Sequence, residues 1–179
     1  MSPVSGCEEI RDPLHYAHIS HSYLKAAAIV WDNQFLGKPN EAWDMKLIVH
    51  PMSQLLGLAL ETSVKGMIVA NGKNPSHTHD LVKLFKTLQD RKLERKIAED
   101  IQGLELPPEI REANPTATET ELVGMYRRHH IHIAALNSVY DRPFISRYPS
   151  KEGFMKPDLE ALFSIATTVQ SELNKLTQP

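Results

Sequence analysis

Glu61 and Lys65 stand four residues apart inside one of the most apolar stretches of the chain, LLGLALETSVKGMIVANG, residues 55–72. On a helix that spacing puts a carboxylate and an ammonium on one face, in the order that favours pairing. Among apolar neighbours the pair is either a structural ion pair that fixes helix packing or a charged patch in a polar cleft. Downstream, His79-Asp80 opens a new helical pattern. Asp80 suits a helix start by charge and by capping preference; the alternative use is His79 lining a phosphate-binding cleft with Arg147. Arg147-Tyr148 is the strongest binding pair in the sequence. Arg offers a planar fork to phosphate, and Tyr offers a face on which a base stacks. The competing arrangement has Tyr148 in the core and Arg147 paired with a helix carboxylate.

A second constellation lies at Arg127, Arg128 and His132. On a continuous helix Arg127 and His132 are about 140° apart around the axis, because each residue advances about 100°. They do not converge within one subunit, although a dimer cleft could combine two copies. Arg128 and His132, four apart, share a face with Glu121. That trio would suit acid–base chemistry on a phosphodiester, with His132 moving the proton and Arg128 holding phosphate. It would equally suit a solvated face of paired charges.

Eight of the nine histidines cluster at 15/18/21, 77/79 and 129/130/132, with His50 apart from them. His77-x-His79 and His130-x-His132 offer two metal ligands each, with no Cys pair or His-Glu-x-x-His beside them, so no metal is expected. The sequence carries no Gly-rich phosphate loop and no Gly-x-Ser-x-Gly, so neither a cofactor nor a covalent nucleophile is expected.

The elements that must position these groups are helical. Tyr16, Ile19, Tyr23, Ala26, Ala27 and Val30 recur at helical steps and predict a helix over 14–36, stopped at Gly37-Lys38-Pro39-Asn40. A second helix is expected from Trp43, or from beyond Pro51, to Ala70, with a kink or break at Pro51 and a stop at Asn71-Gly72. Ala59, Ser63, Gly66 and Ala70 form a stripe of small residues on it, where another helix can approach closely. Leu81, Leu84, Phe85 and Leu88 predict a third helix, and Leu93, Ile97 and Ile101 a short amphipathic one. Residues 107–118, with three prolines, read as a linker. Thr118-x-x-Glu121 is a capping box, predicting a helix to Tyr140. Asp158 opens a last helix to Leu176. No segment alternates with period two.

At 179 residues and net charge −2, the chain is long enough for one packed domain and has no global basic field for nucleic acid or anionic membrane. The expected organisation is a loose arm over 1–13 and one helical domain over 14–179, with 90–118 an insertion or linker. A single cysteine, Cys7, and no apolar run long enough for a membrane span lead to the expectation of a cytoplasmic protein with no membrane partner.

Three local signatures in order, ALETSVKGMIVANG at 59–72, His79-Asp80-Leu81, and Phe144-Ile145-Ser146-Arg147-Tyr148-Pro149, make residues 14–176 resemble the HEPN family. The resemblance implies an all-α, up-and-down bundle of four to five main helices with a short extra helix, and a homodimer. It implies one of two activities. Some members are metal-independent endoribonucleases of toxin or RNA-processing type, with Arg-x(4–6)-His motifs meeting at the dimer cleft. Arg127, Arg128 and His132 would serve here. Others are thought to bind nucleotides or to act beside a nucleotidyltransferase. That non-catalytic reading, with a nucleotide or RNA held by Glu61, Lys65, His79, Arg147 and Tyr148, is preferred. Where the toxin-type members carry a tyrosine two residues after the histidine, this chain has Ala134.

Overall fold

The computed structural model describes residues 12–35, 42–140 and 157–178, and no strand occurs among them. The described elements are helices: α1 Pro13–Phe35, α2 Ala42–Ala70, α3 Leu81–Leu88, α4 Arg91–Ile101, α5 Pro108–Ala113, α6 Glu119–Tyr126, α7 His129–Tyr140 and α8 Leu159–Thr177. The all-α bundle expected from the periodicity is the fold. The stretches 1–11, 36–41 and 141–156 lie outside the described residues.

α2 is the central helix, packed against α1, α3, α7 and α8. It runs as one assigned helix through Pro51, where a break had been an option. Its apolar side chains supply much of the core, with Met52, Leu56, Leu60 and Ile68 fully buried. The small-residue stripe does what its spacing implies. Ala59, Ser63 and Gly66 are all buried, and a Cβ on Gly66 would come within 2.7 Å of Tyr16 Cβ on α1 and 2.8 Å of Leu173 on α8. The approach is closed by a buried polar seam. Ser20 Oγ donates to the Ala59 carbonyl at 2.9 Å and meets Ser63 Oγ. Ser63 donates to Gln170 Oε1 at 3.1 Å, and Gln170 Nε2 donates to the Ala17 carbonyl at 3.0 Å. Because Tyr16 and Ser20 meet Gly66 and Ser63 in reverse order, α1 runs antiparallel to α2.

At the far end of α2 the chain turns at Asn71-Gly72. Gly72 has φ 72°, and Lys73 N donates to the Ile68 carbonyl at 3.0 Å, capping carbonyls the helix leaves open. Asp80 caps α3, accepting from Lys83 N at 3.1 Å. The 90–118 stretch is more than a linker. α4 buries Leu93, Ile97 and Ile101 in the main core and is tied to α8 by Lys96–Glu172 at 2.5 Å and Thr168–Asp100 at 2.6 Å. α5 occupies part of the proline-rich segment read as linker.

One expected element is two. The capping box at Thr118 is present, with Glu121 N donating to Thr118 Oγ1 at 3.3 Å and Thr118 N donating to Glu121 at 2.8 Å. The helix it opens, however, ends at Tyr126, and α7 begins at His129. Neither Pro nor Gly sits at the break. At the break the His132 ring donates through Nε2 to the Tyr126 carbonyl at 2.6 Å, satisfying an acceptor the helix end leaves open. Tyr126 meets the His132 ring edge-on at 5.0 Å, and its hydroxyl donates to Asp158 at 2.8 Å, fastening the break to the start of α8.

Candidate functional site

Three described segments bring polar side chains together around one buried carboxylate. Glu61, on α2, is 6% exposed. Lys65, one turn on, donates to Oε1 at 2.7 Å. From the turn before α3, His79 Nδ1 lies 3.1 Å from Oε1 and 3.0 Å from Oε2. From the end of α7, the Tyr140 hydroxyl donates to Oε2. Burial drives the Glu61 carboxyl up, and the hydrogen bonds from Lys65, Tyr140 and His79 more than reverse this, holding it below the usual carboxylate value. A buried charge of this kind is tolerated because it is paired and fully hydrogen-bonded.

The local fold makes each contact available. Gly57, one turn before Glu61, has no side chain, and the Tyr140 ring occupies that space. A Cβ at Gly57 would sit 2.2–2.6 Å from the ring carbons. Asn137, three residues before Tyr140, accepts from Leu81 N at 2.8 Å. That bond joins the first residue of α3 to α7 and so sets the turn that carries His79. The buried end of the cluster is therefore rigid, while its outer end is open. The His79 side chain is 70% exposed, and its Nε2 makes no hydrogen bond among the described residues. Lys65 is part-buried at 14%.

The structure thus brings Glu61, Lys65 and His79 together, as the nucleotide-site expectation grouped them. It adds Tyr140 and Gly57, which sequence reasoning assigned no part in a site. In the sequence Tyr140 marks only the end of the helix predicted from Thr118. Arg147 and Tyr148 lie outside the described residues. In sequence they follow Tyr140 within a few positions.

Arg127, Arg128 and His132 stand in different surroundings. The break between α6 and α7 removes the continuous helix on which their shared face depended. Arg127 lines a cleft of about 390 Å³ with Arg111, Glu119 and Leu106, and its Nε is buried without a hydrogen-bond partner. Arg128 is exposed on a shallow hollow with Gly124 and Met125. His132 is 4% exposed and holds the Tyr126 carbonyl. In the described chain the ring is a structural clasp, and the acid–base role sketched for it lacks access to solvent. Glu121 is committed to its capping box with Thr118.

No group of three or more His, Cys, Asp and Glu among the described residues is placed to hold a metal ion. No helix among them is long and apolar enough to cross a membrane.

Neither a curated protein nor a solved structure matches the chain. A family model does: the HEPN domain model matches residues 56–176. The match begins on α2 just before the Glu61–Lys65 turn, takes in α3 to α7, and ends near the close of α8. It covers well over half of the chain and contains every residue of the polar cluster, and with the all-helical fold it settles the affiliation: this chain belongs to the HEPN domain family.

Proposed function

We propose that this chain is a binding module for a nucleotide or RNA, with the ligand's phosphate received at the open end of the Glu61–Lys65–His79–Tyr140 cluster. One observation carries the reading. A buried carboxylate is saturated by three donors, and the product of that arrangement is a histidine held in one orientation with its outer nitrogen facing solvent. A purely structural ion pair has no need of an exposed ring. Sites that must hold a ligand in register are built this way, with a contacting group fixed by a buried supporting shell. The adjoining stretch contributes Arg142, Arg147 and Tyr148 in sequence, residue types suited to phosphate and to a stacked base. On this reading the domain works without catalysis of its own, as a dimer or beside a nucleotidyltransferase. The endoribonuclease alternative draws less from the geometry, because the His132 ring is buried and engaged.

Calorimetric titration with ATP and with short single-stranded RNA tests the proposal. Wild-type protein should bind at least one of the two, and His79→Ala and Arg147→Ala should each weaken binding by about tenfold or more, the loss of roughly one charge-assisted hydrogen bond. Absence of binding by folded wild-type protein would remove the proposal. Undiminished binding by both variants would place the site elsewhere.

A further inference from the structure

We propose that His79 meets the ligand's phosphate as an imidazolium through Nε2, so that binding is coupled to uptake of a proton at this one ring. The inference rests on the nucleotide or RNA reading above and adds to it a chemical condition on the contact.

The argument starts from Glu61. A carboxylate can only accept hydrogen bonds, and this one accepts from Lys65 and Tyr140 as well as from His79. Nδ1 of His79 therefore carries a hydrogen in either charge state of the ring. When the ring is neutral, Nε2 has only a lone pair, which faces solvent because the side chain is 70% exposed. The non-bridging oxygens of a phosphodiester also only accept. Two acceptors repel, so a direct contact forms only once Nε2 has gained a proton. Histidine is the side chain whose charge changes most readily between pH 5 and 8.

Charged and titratable groups face the ring from three elements. On α2, the Glu61 carboxylate faces Nδ1 at 3.0 Å, and Lys65 is bonded to the same carboxylate at 2.7 Å. From α7, the Tyr140 hydroxyl takes part of the carboxylate's accepting capacity. At the start of α3, Asp80 is bonded to Lys83 at 3.2 Å, and His77 lies two residues before His79. With Glu61 already partnered, the ligand's own negative charge is the group free to draw the second proton onto the ring.

The probe is hexauridylate lacking terminal phosphates, whose diesters do not titrate near neutrality. It is titrated calorimetrically between pH 6.5 and 8.5 in buffers of different ionisation enthalpy. Wild-type protein should take up close to one proton per RNA on the alkaline side, with affinity falling by up to about tenfold per pH unit there. His79→Gln, which cannot be protonated, should bind more weakly and with no such uptake. Equal or zero uptake in wild type and His79→Gln would overturn the inference while leaving RNA binding intact. No binding by wild type at any of these pH values would remove the underlying RNA reading as well. A readout without RNA is also decisive. Long-range ¹H–¹⁵N correlation should place the proton of neutral His79 on Nδ1, and a neutral ring protonated on Nε2 would overturn the assignment.

Discussion

Gly57 and Tyr140 show how much of the site depends on a missing side chain. The Tyr140 ring sits where a Cβ at position 57 would be, and only from there does its hydroxyl reach Glu61. Gly57→Ala should raise helix propensity at that position and yet destabilise the protein by roughly 1–3 kcal/mol, because overpacking against an aromatic ring outweighs the helical gain. Urea unfolding measures it, and a stabilised variant would show that the ring yields freely. At the same carboxylate, the pH response has a definite sign. Glu61 is held below its unfolded value, so its contribution to stability is full above that value and is lost as pH falls through the folded one. Glu61→Gln should therefore flatten the acid limb of the stability profile. The Glu61–Lys65 half of the site was legible from its spacing of four. Tyr140 was not, because it lies 79 positions from Glu61 and local periodicity distinguishes only buried from exposed positions.

Among the elements, α3 and α8 follow directly from apolar residues at helical spacing and from Asp80 and Asp158 at their starts, and α4 from the spacing of Leu93, Ile97 and Ile101. The break between α6 and α7 does not. It lacks the local signals that end helices, and there a buried histidine six residues on satisfies the Tyr126 carbonyl. Capping and apolar spacing alone read 118–140 as one helix, because a side-chain bond from His132 to the Tyr126 carbonyl leaves no mark on either. The same bond engages the buried His132 ring, while Arg128 lines an open hollow with Gly124 and Met125. His132→Ala should cost about 2–4 kcal/mol, from a lost hydrogen bond to a buried carbonyl and a cavity beside Tyr126. Thermal or urea denaturation tests this. A variant as stable as wild type would mean the ring is not the clasp described, and would reopen a role for it in chemistry.

For the molecule as a whole, the central position of α2 ties the bundle packing and the polar cluster to the same helix. One face packs α1 and α8 through Ser63 and Gly66, while Gly57 and Glu61 meet α7 and the His79 turn. The membership shown by the match over residues 56–176 makes a nucleotide- or RNA-related role the natural setting for that arrangement. It also motivates the expectation of a homodimer. Sedimentation at micromolar concentration should then give twice the 20.2 kDa chain mass, and a single 20.2 kDa species would contradict it.

The central claim is that the ligand enters at the Glu61–Lys65–His79–Tyr140 cluster. The most direct measurement is NMR titration of isotope-labelled protein with unlabelled short single-stranded RNA and with ATP. The account predicts that the largest shift changes map to Lys65, His79, Tyr140 and their immediate neighbours on α2, on α7 and at the start of α3. Changes confined to Arg127, Arg128 and the surface around α6, or no changes with either ligand, would contradict it.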